Sequence, residues 1–320
     1  MDKILNSLIL LEEKYKVIKW LKKIGIFIGL FILIRQVFLA KGNILRYLKY
    51  HENIMNIVFS CLIIIMAISI QIIIWMKVMR IFNVTLPTFQ TFIGFSLSFI
   101  PKYIPGTFWG YVSRTEWLAT DFNINRKVSL FGIIIEFIFS LSSVFFMVLL
   151  NYTSLNFIIY LCVILLIFLL IYFFLRFILN NKKIMEYIGE QRITNLSLIS
   201  TFATFSMSII VWFIYGLGLF ILAGNNFDCL YSSHGINVLY KYSTSFSVAW
   251  FMGFLAVLIP SGIGVRENVL ANLLEINLNI GHLNAISLSI IFRFVISLAE
   301  LVLVMLGVIY KYAILRKRRS

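Results

Sequence analysis

Residues 256–270 read AVLIPSGIGVRENVL, and that stretch decides how the chain is to be understood. Within it, Pro260, Gly262, Gly264, Arg266 and Glu267 interrupt one of the most apolar runs of the sequence. Proline and glycine weaken a helix, and a charge in hydrocarbon is costly. A segment that collects all of these inside a membrane protein has to face protein or a polar cavity, because irregular backbone cannot be left against lipid.

The surrounding composition shows that a membrane is the relevant solvent. Of 320 residues, 61% are hydrophobic and only 13% charged. A soluble domain of this length has no way to bury so much apolar surface, which excludes a soluble enzyme or binding module. The predicted fold class is therefore an all-α polytopic membrane protein. No nucleic-acid motif is present, and the net charge of +15 is explained by the bias of lysine and arginine toward the inner leaflet. Cys61, Cys162 and Cys229 show no metal or disulfide spacing, and His51, His234 and His282 are scattered, so no cofactor or metal is expected.

A span needs about 20 apolar residues. Six stretches qualify: Ile24–Ala40, Ile57–Val78, Val128–Leu150, Leu155–Leu179, Leu196–Ala223 and Ala285–Tyr310. Two further stretches, Leu86–Leu118 and Ser243–Leu274, are broken by proline and glycine. Lysine and arginine crowd the N-terminal segment, the 176–192 connection and the C-terminal tail, so both termini are expected in the cytoplasm of a multi-pass protein of the cell membrane. This puts a 41–56 loop outside despite Lys41, Arg46 and Lys49, together with a 223–241 loop. Residues 1–23 read as a basic amphipathic helix, residues 24–312 as the membrane domain, and 313–320 as a basic cytoplasmic tail.

The two broken stretches resemble each other. SFIPKYIPGTFWGYVSRTEW (98–117) runs, like 256–270, from apolar residues through Ile-Pro to glycine, arginine and an acid. Pro105, Gly106, Gly110, Arg114 and Glu116 answer to Pro260, Gly262, Gly264, Arg266 and Glu267. About thirty residues beyond each proline lies a span with a mid-membrane charge beside phenylalanine, Glu136–Phe137 and Arg293–Phe294. The expectation is two re-entrant broken-helix segments in an inverted repeat, about 54–150 and about 196–310, as in secondary transporters.

The chemistry expected there is anion binding. Free N–H groups at the start of a helix after each break favour negative charge. Arg114 and Arg266 add donors suited to phosphate, with Ser113 and Ser261 as candidate hydroxyls. Arg266 beside Glu267 also fits a structural pair, and Lys102 fits a headgroup anchor. Glu136 and Arg293 are expected to share the cavity and partly neutralise one another, with Glu300 on the same helix face as Arg293. Trp20, Trp109, Trp117 and Trp250 fit interfacial belts better than a binding box.

YIPGTFWGYVSR (103–114), Glu136, IPSGIGVREN (259–268) and Arg293 together resemble the membrane region of lysylphosphatidylglycerol synthases, which also occurs alone in flippase-like bacterial and archaeal proteins. The resemblance covers roughly residues 20–312, and Pro260, Gly262, Gly264, Arg266 and Glu267 are its most specific part. It implies movement of an anionic phospholipid, or a lipid-linked substrate of the polyprenyl-phosphate type, between leaflets. The aminoacyl-transfer domain of bifunctional members is not expected here. Where the family often has Glu-Arg, this chain has Glu136–Phe137, so no role of that arginine carries over. The expected partners are a lipid with an anionic headgroup and enzymes of cell-envelope biosynthesis. Competing expectations are a non-transporting partner in envelope lipid or glycan assembly, or a transferase-type protein lacking its catalytic domain. No catalytic residue is expected, since Glu116 and Glu267 have no histidine, cysteine or metal cluster near them.

Overall fold

The structure, a computed structural model, describes residues 27, 30–102, 109–151, 157–189, 196–225, 227–256 and 259–317. Among them the chain is helical, with no strand. The helices are α1 (30–49), α2 (His51–Ile81), α3 (Thr88–Leu97), α4 (Phe99–Lys102), α5 (Trp109–Phe122), α6 (Arg126–Asn151) and α7 (Phe157–Leu179). They continue as α8 (Lys182–Ile188), α9 (Leu198–Leu222), α10 (Ser233–Leu255), α11 (Val265–Leu278) and α12 (His282–Lys317). Two short 3-10 turns, Phe227–Tyr231 and Pro260–Gly262, precede α10 and α11.

Among the described residues five helices are long and apolar enough to cross a membrane: His51–Ile81, Arg126–Leu149, Cys162–Leu179, Leu198–Leu222 and His282–Lys311. The chain is an all-helical, multi-pass membrane protein. Helix is the form these runs must take, because each backbone N–H and C=O is then satisfied within its own segment. The five coincide with five of the six spans expected from sequence. The sixth, Ile24–Ala40, falls partly outside the described residues, as do segment 1–23 with Trp20 and the end of the 313–320 tail.

Three boundaries differ from expectation. The 41–56 segment is not a loop: α1 runs to residue 49 and α2 starts at His51, with a single break at Tyr50. The 223–241 segment is helical from Ser233 onward, where Ser232 caps α10 by accepting the Gly235 N–H. α12 continues through the tail as far as Lys317. In each case polar residues prolong a helix past its apolar part, which propensity permits and a hydropathy pattern does not reveal.

α2 and α9 pack side by side at the centre, where Gly218 of α9 lies against Ser60 of α2. Gly216 of α9 abuts Ser243 of α10 so closely that a methyl group on it would overlap the serine side chain. Small residues permit such approach, and dispersion then holds helices together where lipid provides no hydrophobic drive. α10 buries Ser243, Thr244, Ser245 and Ser247. Ser243, Thr244 and Ser247 satisfy their hydroxyls on carbonyls of their own helix, at Leu239, Tyr240 and Thr244.

Between α2 and α6, and again between α9 and α12, the chain forms a helical hairpin. In the first, α3 and α4 lie antiparallel to α5, with Gly94 against Trp117 and the Ser98 carbonyl against Gly110. Its turn, with Pro105 and Gly106, lies outside the described residues. In the second, α10 and α11 are antiparallel: Gly253 backs onto Gly262 and Arg266, and Asn277 donates to Ser245 at 3.1 Å. Its turn needs left-handed backbone at Ser261 (φ 53°), Gly262 (φ 65°) and Gly264 (φ 83°). Two of those three positions are glycine, the residue for which that region carries no steric cost.

Candidate functional site

The turn ends of both hairpins converge with α6, α9 and α12 on a cavity of about 170 Å³. Lys102, Gly110, Arg114, Ser261 and Arg266 reach it from the hairpins, Glu136 from α6 and Glu300 from α12. One wall is aromatic: Trp212 packs on Trp250, which stacks on Phe254, which touches Phe137. Neither histidine nor cysteine lines this cavity among the described residues.

Arg114 is buried and ion-paired, although its Nε, like that of Arg266, has no hydrogen-bond partner. Its Nη1 lies 3.0 Å from Glu136 Oε2, and its guanidinium carbon sits 4.3 Å from the Trp75 ring and 4.5 Å from the Phe95 ring. Flat guanidinium against aromatic faces, with a carboxylate in reach, suits arginine and not lysine. Lys102 pairs with Glu300 across the gap between the first hairpin and α12. The expected Glu136–Arg293 pairing is therefore corrected: Glu136 takes Arg114 from its own half of the chain, and Arg293 lies off the cavity.

Arg293 braces the second turn. Its Nη2 donates to Ser261 Oγ at 2.9 Å and to the Ser261 carbonyl at 3.2 Å, while its Nε is 3.5 Å from Glu267 Oε1. Glu267 Oε2 accepts the Gly264 N–H at 2.6 Å. A carboxylate three residues into α11 thus reaches back to the helix start, the half of a capping box that glycine leaves possible. This also corrects the helix-end expectation. The Gly264 N–H is taken by a side chain of the protein, and the positive end of α11 already has its anion.

Arg266 is the exception. It is adjacent to Glu267 but does not pair with it, because consecutive residues leave a helix in different directions. Glu267 turns toward Arg293 and Arg266 toward the cavity. The Nε of Arg266 is buried with no hydrogen-bond partner, and its guanidinium forms no ion pair among the described residues. The cluster as a whole holds four cations (Lys102, Arg114, Arg266, Arg293) and three carboxylates (Glu136, Glu267, Glu300). The segments 103–108 and 257–258 contain no charged residue, so one positive charge remains in excess.

Of the other expected residues, Pro260 stands in the 3-10 turn and Gly262 and Gly264 shape the bend after it. Ser113 does not line the cavity. Glu116 points away, paired with Arg126 at 2.9 Å on an exposed surface, where those hydrogen bonds hold its carboxyl below the usual carboxylate range. Lys102, for which a headgroup anchor and a substrate contact were both open, lines the cavity, as does Trp250, which was expected at the membrane interface. Gln71, Tyr111, Trp212 and Tyr215 also line it and carried no distinct sequence signal. Compared with protein-family models, with curated proteins and with solved structures, the chain matches none.

Proposed function

We propose that this protein is a flippase-like transporter that moves an anionic phospholipid, or a lipid-linked substrate of the polyprenyl-phosphate type, between the leaflets of the cell membrane. The two hairpins are then re-entrant segments that dip from opposite faces, in two inverted halves, with both termini cytoplasmic. The headgroup phosphate binds Arg266 while the tails stay in the bilayer, and rocking of the halves exposes the cavity to each leaflet in turn.

The observation that carries this proposal is that Arg266, unlike Lys102, Arg114 and Arg293, forms no ion pair among the described residues while it lines the cavity. A desolvated cation with no counter-ion is costly, and an anionic ligand removes that cost. The resemblance to the lysylphosphatidylglycerol synthase membrane region points the same way. The single positive charge in excess favours a headgroup with one negative charge, as in a phosphodiester.

The test is leaflet exchange of a fluorescent phosphatidylglycerol in vesicles reconstituted with purified protein. Wild-type protein accelerates exchange, and Arg266→Ala lowers the rate about 100-fold, the loss of a charge-assisted contact of ~3 kcal/mol. Exchange by Arg266→Ala at the wild-type rate removes the proposal's central residue.

A further inference from the structure

A second cavity, of about 480 Å³, lies between α6 and the α10–α11 hairpin. Leu141, Val144 and Val148 line it from α6, and Val248, Phe251 and Met252 from α10. Its lining is hydrocarbon along its length and polar at one end, where Thr244, Ser245 and Asn277 meet. α6 and α10 run antiparallel here, since Phe137 meets Phe254 and the Tyr240 hydroxyl donates to the Met147 carbonyl. From Leu141 to Val148, at 1.5 Å per residue, the crevice is about 10 Å long.

It lies beside the central cavity, lined by neighbouring residues of the same two helices. Phe137 and Ser140 line the central cavity and Leu141 the crevice; Trp250 and Phe254 line the former and Phe251 and Met252 the latter. Phe137 and Phe254, with ring centroids 4.8 Å apart, line the central cavity where α6 meets α10. The crevice is also open to the bilayer side of the bundle, since Phe145 and Met252 are exposed large apolar side chains.

We infer that this α6–α10 crevice seats the hydrocarbon chain of the transported lipid while its phosphate is held at Arg266. The inference rests on the headgroup site proposed above. It adds the route: a charged head inside the bundle, a tail leaving sideways between α6 and α10, and an aromatic pair between them. A site of this size and lining belongs to an apolar ligand, and the ordered hydroxyls and amide at its far end mark where hydrocarbon stops.

The experiment uses full-length protein in phosphatidylcholine vesicles containing phosphatidylglycerol with a photoactivatable diazirine on one acyl chain. After illumination, labelled residues are located by peptide mass spectrometry. Labelling is expected to concentrate in 141–148 and 244–252, above the outward face of α7 at Leu166, Leu170 and Phe173, which reports ordinary annular lipid. Val248→Trp, which fills the crevice, is expected to abolish that excess and slow phosphatidylglycerol exchange about tenfold, the order of leaving roughly two methylenes unburied. Labelling spread evenly over α6, α7 and α10 overturns the inference, as does an unchanged exchange rate in Val248→Trp. Neither result touches the Arg266 proposal, which stands or falls on Arg266→Ala; full exchange by Arg266→Ala removes the headgroup half of the inference, and the labelling pattern then tests only whether a lipid chain occupies the crevice.

Discussion

In the first hairpin the guanidinium of Arg114 lies among Trp75, Phe95 and Tyr111 with Glu136 at 3.0 Å; in the second, Arg266 forms no ion pair among the described residues, and the Nε of both arginines lacks an acceptor. The two arginines follow similar Pro-Gly breaks in similar sequence, and each lies on the helix that begins after the break. What separates them is the allocation of acids. Glu136 reaches across from α6 to satisfy Arg114, whereas Glu267, the natural neighbour of Arg266, is committed to Gly264 and Arg293. One hairpin thus holds its arginine in an ion pair within the bundle, and the other leaves its arginine without one, as the proposed function requires.

The largest effect should follow from Arg114→Ala. It leaves Glu136 buried without its counter-charge, and breaking a buried pair from one side costs ~3–5 kcal/mol. The expected readout is a clearly lowered unfolding transition of the detergent-purified protein, followed by tryptophan fluorescence. The double variant Arg114→Met with Glu136→Met is expected to regain most of that loss, because well-packed apolar residues can replace a buried pair at little cost. A double variant as unstable as the single one shows that Arg114 does more than neutralise Glu136, and the contrast between the hairpins weakens accordingly.

A smaller effect should distinguish the turns. Gly262 has φ 65°, and a Cβ placed there would sit 2.6 Å from the Gly253 carbonyl oxygen. Gly262→Ala is expected to cost ~1–3 kcal/mol, from strained backbone and a displaced hairpin arm. At Gly110 of the first hairpin the corresponding approach, to the Ser98 carbonyl, is 3.0 Å. Gly110→Ala should therefore shift the same unfolding transition less. Equal shifts mean that the second turn is not the tighter of the two.

Much of this architecture was visible in residue order. Five spans follow from runs of apolar residues that have no other stable form in lipid, and the Pro-Gly-Arg-acid pattern of 98–117 and 256–270 pointed to the two hairpins that meet at the cavity. Partners were less visible. Spacing along α6 and α12 places Glu136 and Arg293 deep in the bundle, but whether they meet depends on the angle at which each helix faces the hairpins. That angle gives Glu136 to Arg114 and Arg293 to Ser261. Trp250 was misplaced for a related reason: an aromatic residue suits both a headgroup belt and a cavity wall, and only the packing of Trp212 and Phe254 on it decides. The ends of α1 and α10 were hidden because helices persist beyond the apolar residues that announce them.

Arg266→Met should have the smallest effect on stability. No hydrogen bond or ion pair of the guanidinium is lost among the described residues, while the desolvation of an uncompensated cation is relieved. The expected unfolding transition is equal to wild type or slightly higher, with methionine filling the space of the arginine stem. Added phosphatidylglycerol sharpens the comparison. A ligand that binds the folded state raises its stability by an amount set by its concentration relative to Kd, so wild type should gain stability from the lipid and Arg266→Met should gain less. Arg114→Ala, though less stable at the outset, should retain a gain from the lipid, because its guanidinium is not the one awaiting an anion. If Arg266→Met instead unfolds as readily as Arg114→Ala, both arginines are structural, and the distinction drawn between the two hairpins does not survive.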